Sequence, residues 1–341
     1  MLIILCTLCT SIWTLVSLFC VFIGSPYKST WIYLQILLIS ILAHIICSRL
    51  RDKQIFLINF ILWVVHVLLV AYLIFFTIKV KGSKRWLHIA NISYQPSEVL
   101  KLSSIVIFSH IVAKKKFFLA IISQVVPIVL FVQQPDIGSV FILLLSMLTV
   151  LIFHGIKKRI LLIFILLTSI FSVLGIHYFP HALRRVKVFR KNPGQDYEKY
   201  SYQNRKSIEA IVSGGWTGSG LGQGRVKYLI PDGYSDFIFS IIAEELGFIT
   251  CLVLVISYLS LVLTCLYYGN LSAPGLALVG LGSILSTQAW IHMATCVWLI
   301  PSKGTTLPMI SHGGTSLLAT HINMGLILAA FRAIKKNRVI T

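Results

Sequence analysis

The sequence predicts an all-α polytopic membrane protein of about ten transmembrane helices, with one large extracytoplasmic loop between helices 7 and 8. Three observations carry that prediction. Of the 341 residues, 57% are hydrophobic and only 12% are charged, and the mean hydropathy is +0.88, so there is too little polar surface to coat a soluble globule of this size. Runs of roughly twenty apolar residues, enough to cross a bilayer core, recur along the chain. The thirty Lys and Arg, set against ten Asp and Glu, gather between those runs. A charge of +20 in a soluble chain would point to nucleic acid. In so apolar a chain it reads as membrane topology, and no nucleic-acid partner is expected.

The apolar runs fall near Leu2 to Ile23, Trp31 to Cys47, Phe56 to Ile78, Glu98 to Val112, Phe117 to Phe131, Gly138 to Ile156, Ile160 to Phe179, Asp236 to Tyr268, Gly275 to Ile300 and Thr315 to Arg332. The first has no Lys or Arg ahead of it and no small-residue cleavage site, so it is read as a span and not as a signal peptide. One membrane domain, 1–341, is expected, with the 180–235 loop inside it. The seven cysteines lie in or beside apolar segments and imply no disulfide framework, and the Cys6/Cys9 CxxC has no second pair to complete a metal site.

Basic residues in short connections set the orientation. One set holds Arg49, Arg51, Lys53, Lys114 to Lys116, Lys157 to Arg159, Arg332, Lys335, Lys336 and Arg338. The opposite set holds Lys28, Lys79, Lys81, Lys84, Arg85 and Lys303. Thirteen against six puts both termini in the cytoplasm, in agreement with an even number of spans. The segment from Pro180 to Ser235 then lies outside, with ten Lys and Arg and an amphipathic stretch around Tyr202 to Val212. Nine of the ten acids also fall toward that face, Asp52 being the exception, so the outer half is expected to hold an ionised site.

Within it, Glu98 and Lys101 stand three residues apart on one face of a helix that Pro96 and Ser97 start. They form either a structural ion pair or a presented anion ligand. Asp136, in a break between two apolar runs, either caps the next helix or joins the site. Ser213 to Gly224 contains six glycines in a GxGxGxG spacing that is not a dinucleotide fingerprint, and beside Arg225 and Lys227 it suggests a phosphate-binding loop. Asp236, at the entrance to a long apolar helix, suits either a helix cap or a general base. Glu244 and Glu245, roughly 12 to 14 Å further along that helix, are too costly to face lipid and are expected to turn inward to Lys or Arg. His312, followed by two glycines, has no GxSxG elbow to accompany it, and the scattered histidines supply no metal-ligand spacing.

Six segments taken together, GSKRWLHIANISYQPSEVLK, QQPDIGS, RRVKVFRKNPGQD, YQNRKSIEAIVSGGWTGSGLGQG, PDGYSDFIFSIIAEELG and KGTTLPMISHGGTSLL, resemble in order the SEDS family (shape, elongation, division and sporulation) from about Gly82 to the C-terminus. The turn at Ser302 to Gly304 and the PDG before Asp236 look more like its division branch, FtsW, than its elongation branch, RodA. The resemblance implies a peptidoglycan glycosyltransferase of the bacterial cytoplasmic (inner) membrane that polymerises lipid II at the outer face. It also implies a class B penicillin-binding transpeptidase as partner, other divisome proteins, and contact with membrane lipids.

The family's essential loop aspartate falls on Asp236, and its glutamate and lysine on Glu98 and Lys101. Asp232, Tyr234, Ser235, His292, His312 and Thr315 depart from its usual pattern. The reaction so implied needs a base for an acceptor hydroxyl, assigned to Asp236, and cations for the leaving diphosphate, sought among Lys101, Arg185, Lys206, Arg225 and Lys227, with Glu98 beside them. No metal ligands are assigned; a divalent cation, Mg or Mn, is the one cofactor left open. A lipid II flippase and a non-catalytic scaffold are the rival readings.

Overall fold

The computed structural model describes residues 2–24, 27–77, 84–89, 92–159, 199–301 and 304–340, together with 161, 162, 165, 166, 183, 185 and 189. The helices α1 (Leu2–Gly24), α2 (Tyr27–Ser48), α3 (Asp52–Phe76), α4 (Pro96–Ala113), α5 (Phe117–Gln133), α6 (Ile137–His154), α7 (Lys199–Gly214), α8 (Ile238–Tyr268), α9 (Ala273–Cys296) and α10 (Gly314–Ile340) form the bundle. Among the described residues seven helices are long and apolar enough to cross a membrane, and α1 and α5 carry shorter apolar stretches. This is the polytopic all-α architecture the hydropathy predicts. The expected seventh span, Ile160 to Phe179, lies outside the described residues apart from four positions.

Local chemistry sets the helix ends. Pro96 opens α4 at a position where its missing N–H costs nothing, and Asp136 caps α6 by accepting from Ser139 N at 3.3 Å. Gly155 closes α6 in the left-handed conformation, and Ser272 caps α9 ahead of Pro274.

The bundle is layered around α9. Within its apolar window 89% of residues are buried, against 22% for α2 and α3, so α9 is an inner helix and the other two present wide faces outward. Small residues allow this. A methyl group at Gly280 would come within 2.7 Å of Ile105 on α4, and one at Gly282 within 2.7 Å of Cys265 on α8. On α1, the residues Cys6, Cys9, Trp13 and Ser17 recur at helical spacing and turn inward, with Trp13 stacked on Tyr258 at 4.3 Å.

Two features depart from the expectation. A short antiparallel hairpin, β1 (Leu87–Ile89) and β2 (Ile92–Tyr94), occupies the connection before α4. Three residues per strand are too few to register as an alternating pattern. The hairpin is fixed from outside itself. His66 donates from Nδ1 to Leu62 O, so its Nε2 accepts from the Tyr94 hydroxyl, each at 2.6 Å, while Thr315 Oγ1 accepts from Gln95 N and donates to Ser93 O.

The second departure is the span expected from Asp236 to Tyr268, which is not one straight helix. Asp236 ends a separate helical turn, Gly233–Asp236, and α8 breaks at Gly247, whose φ is 77° and ψ −179°. From Phe248 to Tyr268 the helix is about 31 Å long, enough alone to cross a bilayer. Phe248, Ile249, Leu252, Val253, Ile256, Leu259 and Leu263 are exposed along it, whereas Ile238 to Glu245 are buried in protein.

The glycine-rich loop explains that break. It packs its backbone directly against α8: Ser219 N donates to Glu244 O (2.9 Å), Gly220 N to Glu245 O (3.2 Å) and Phe248 N to Gly215 O (2.9 Å). A Cβ at Gly218 would lie 2.1 Å from Glu245 O, and one at Gly247 would lie 2.3 Å from Gly218 N. These glycines serve a close approach of two backbones, where the sequence suggested a phosphate cradle. Gly218→Ala, which also forces an alanine to φ +85°, is expected to destabilise the detergent-purified protein by about 2 kcal/mol or more, read as a lowered unfolding temperature. Gly313→Ala, whose methyl group would have its nearest neighbour at 3.4 Å, is the control and is expected to melt with the wild type.

Candidate active site

Two polar clusters face one loop, residues 304–313, between α9 and α10. The first is built on α4. Lys101 is 2% exposed, and its Nζ donates to Glu98 Oε1 at 2.9 Å and to Gln288 Oε1 on α9 at 3.3 Å. The three-residue spacing thus delivers the ion pair expected of it, inside the bundle. Asp136 joins from the start of α6: its Oδ2 accepts from Ser139 Oγ (2.8 Å), Ser97 Oγ (3.3 Å) and Gln95 Nε2 (3.4 Å), with Arg85 Nη1 at 3.9 Å from Oδ1. Arg85 also donates to the carbonyls of Gln134 (2.9 Å) and Pro135, which ties the segment before the hairpin to the α5–α6 turn. Burial opposes the charge on Asp136, but Arg85, Lys101 and the Ser139 donors outweigh it and hold the carboxyl below its ordinary range.

The second cluster surrounds Asp236. Its half-buried carboxylate ends the Gly233–Asp236 turn, which Asp232 precedes with a positive φ of 54°. Ser311 Oγ donates to Ser235 O at 2.8 Å and His312 N to Tyr234 O at 3.0 Å, while a methyl group on Gly304 would stand 3.2 Å from Asp236 Oδ2. Beside this turn opens a cleft of about 350 Å³ lined by Lys227, Tyr228, Ile230, Asp232, Gly233, Tyr234, Ser235 and His312. The His312 ring meets Tyr33 of α2 edge to face at 5.1 Å, and burial pushes its imidazole below the ordinary value. The cleft therefore offers hydroxyls, a carboxylate, a neutral imidazole and aromatic faces, a lining suited to a polyhydroxylated ligand.

The expected cations fare differently. Lys227 is 1% exposed and its Nζ forms an ion pair with Glu245, while Glu244 accepts from the backbone N–H groups of Val226 (2.7 Å) and Lys227 (2.9 Å). Both glutamates turn inward as their cost in lipid demands, and they hold the 226–229 turn against α8. Arg225, next to that turn, is exposed. Lys206 pairs with Glu209 at 2.7 Å on the outward side of α7 and does not line the cleft. Arg185 is half-buried, four residues before Phe189, whose ring stacks on Trp298 at 6.3 Å. Arg184, Lys187, Arg190, Lys191, Ser302 and Lys303 lie outside the described residues. Gln288, Thr306 and Ser311 are site residues that motif reasoning passed over; the usable signal was a glutamine in the middle of an apolar span. Among the described residues no group of three or more His, Cys, Asp or Glu is arranged to hold a metal ion.

A bundle of membrane helices that buries an ion cluster, and presents a carboxylate turn and a polar cleft beside one loop, defines a polytopic membrane protein with an internal polar site. The FtsW/RodA/SpoVE family model, described as "Cell cycle protein", matches residues 1–336. A relative from Buchnera aphidicola subsp. Schizaphis graminum, named "Probable peptidoglycan glycosyltransferase FtsW", is 31% identical over 266 residues, which are 73% of this chain and 75% of that one. One of the same name from Hydrogenovibrio crunogenus is 31% identical over 283 residues, 78% of this chain and 72% of that one. The chain belongs to the FtsW/RodA/SpoVE family. Its fold is similar to a chain of a peptidoglycan synthase complex (TM-score 0.78, 20% identity, 98% of this chain and 97% of that one) and to the rod shape determining protein RodA of Thermus thermophilus (TM-score 0.67, 21% identity, 97% and 95%).

The Arg85–Asp136 contact gives a pH-dependent expectation. A carboxyl with a depressed folded value contributes stability that is complete above its ordinary range and is lost as the pH falls through the folded value. Arg85→Ala removes a cation that lowers the Asp136 carboxyl, so the fall in unfolding temperature should be largest near pH 7 and shrink as the pH approaches the carboxylate range. A penalty that is the same at every pH overturns this assignment.

Proposed function

We propose that this chain is a peptidoglycan glycosyltransferase that polymerises lipid II into glycan strands at the outer face of the bacterial cytoplasmic membrane, with both termini inside. The observation that carries the reading is the Asp236 turn, a half-buried carboxylate beside an open polar and aromatic cleft, in a family whose relatives bear that name. Those relatives are named FtsW, which supports the division branch and septal wall synthesis. The similar chain from a peptidoglycan synthase complex supports a transpeptidase partner of class B penicillin-binding type, and the division branch supports other divisome partners.

In this reading Asp236 takes the proton of the acceptor's GlcNAc 4-hydroxyl as that oxygen attacks the anomeric carbon of the lipid-linked donor. The bond to undecaprenyl diphosphate breaks, and the diphosphate leaves with the electron pair. Exposed Arg225, next to the 226–229 turn, is the first candidate cation for such an anion, followed by Arg185 and Lys206, and Lys227 lines the cleft while neutralising Glu245. Lys101, paired with Glu98 and Gln288 inside the bundle, supports the same site from below.

Reconstituted protein given labelled lipid II, with the transpeptidase present, is expected to make glycan chains, and Asp236→Asn is expected to lower the rate by about 10² to 10⁴. Full polymerisation by a folded Asp236→Asn variant removes the assignment of the base. Movement of lipid II across the bilayer without polymer favours a transporter instead.

A further inference from the structure

The first polar cluster and the Asp236 turn are joined by an unbroken hydrogen-bond chain, and the side chain that makes the join is Gln288. Its amide has an acceptor at one end and a donor at the other. The buried ammonium of Lys101 stands 3.3 Å from the oxygen and fixes which end faces α4. The Nε2 group must then face the loop, where it donates to Thr306 O at 3.2 Å and Thr306 Oγ1 at 3.0 Å. Having accepted there, the Thr306 hydroxyl donates to Ser316 Oγ of α10 at 2.5 Å. One turn further along α9, His292 Nδ1 donates to Thr305 O at 2.7 Å. At the other end of the loop, Ser311 Oγ accepts from Leu307 N at 2.7 Å and donates to Ser235 O at 2.8 Å, while His312 N reaches Tyr234 O. Gly304, at the start of the loop, packs beside Asp236, where an added methyl group would stand 3.2 Å from Oδ2.

We propose that Gln288 is a positioning residue, which registers the loop 304–312, and through it the Asp236 turn, on the buried Glu98–Lys101 pair. The role in catalysis rests on the glycosyltransferase reading; the mechanical link does not. An amide 3% exposed in an apolar helix is costly unless both its ends are used, and here both are, by a charged group on one side and a loop backbone on the other. A leucine fills the same space and severs the chain at Gln288. Thr306→Val removes only the hydroxyl arm and the loop's tie to Ser316, leaving the bond to the Thr306 carbonyl and so the path through the 306–307 peptide; Ser311→Ala severs the chain at the Asp236 turn.

The test measures polymerisation by reconstituted protein with labelled lipid II, and hydrogen exchange of the same preparations without substrate. Gln288→Leu and Ser311→Ala are each expected to lower kcat by about tenfold, and Thr306→Val by about threefold, with KM within about threefold. The Gln288→Leu/Ser311→Ala double variant should lose no more than the worse single one, since both cut one chain. Exchange at 304–312 and 232–237 should rise in all three single variants while the cores of α4 and α9 keep their protection. If Gln288→Leu does not fold, Thr306→Val and Ser311→Ala carry the test alone. Wild-type kcat in those two variants, losses that multiply in the double variant, or unchanged exchange at 232–237 overturns the proposal. A wild type that makes no polymer, while its variants show the exchange pattern, overturns the glycosyltransferase reading and leaves the link standing.

Discussion

An ion taken out of water has to be answered by another ion or by several dipoles, and the arrangement of this protein follows from how it answers a few of them. The cost of burying one uncompensated charge is several kcal/mol, comparable to the whole stability of many domains. Each of the buried pairs therefore has to form wherever the chain folds, and each ties down a different part of it. Asp136 with Arg85 fastens the segment before the hairpin to the start of α6. Glu98 with Lys101 and Gln288 fastens α4 to α9. Lys227 with Glu245, backed by Glu244 on the N–H groups of Val226 and Lys227, fastens the 226–229 turn to α8. The Asp236 turn lies among these anchored pieces, so its place depends on them although it makes none of these pairs.

The same pairing bears on how an anionic substrate would be received. A buried lysine already neutralised by a glutamate attracts a distant anion weakly, because the pair presents a dipole and not a net charge. Lys101 and Lys227 are of this kind. Exposed Arg225 keeps its full long-range field. If an anion is the ligand, as proposed, exposed arginine would draw it in and the paired lysines would keep the walls of the site in place. Lys227 is the intermediate case, since it lines the cleft and neutralises Glu245 at once.

Much of the fold was legible in the sequence because a bilayer imposes a length and a polarity that hydropathy measures directly. The Glu98–Lys101 pair was legible too, because a spacing of three on a helix leaves two long side chains little choice. The inward turn of Glu244 and Glu245 followed from cost alone. What escaped were contacts made by backbone. Glycines at 214, 218 and 247 let the glycine-rich loop and α8 approach until carbonyl and N–H groups touch, and glycine composition alone does not separate that use from a ligand cradle. The break at Gly247 stayed hidden for the same reason, since an apolar run of 31 residues reads as one helix whether or not a loop is wedged against it.

The loop 304–313 shows why a span can carry polar residues that do no chemistry. Irregular backbone inside a helix bundle has carbonyls that no helix satisfies, and water is not at hand to replace the missing donors. Here the donors come from the surrounding helices: Ser17 of α1 to Ile310 O at 3.1 Å, Tyr258 of α8 to Pro308 O at 2.6 Å, and Gln288 and His292 of α9 to the carbonyls of Thr306 and Thr305. A carbonyl is the same in every residue, so these bonds place few demands on the identity of the loop's own side chains. They place strong demands on the four donors, each of which stands in an otherwise apolar helix. The conformation of the loop is thus specified largely from outside it, by residues scattered over 276 positions of sequence, from Ser17 to His292 and so to the turn that holds Asp236.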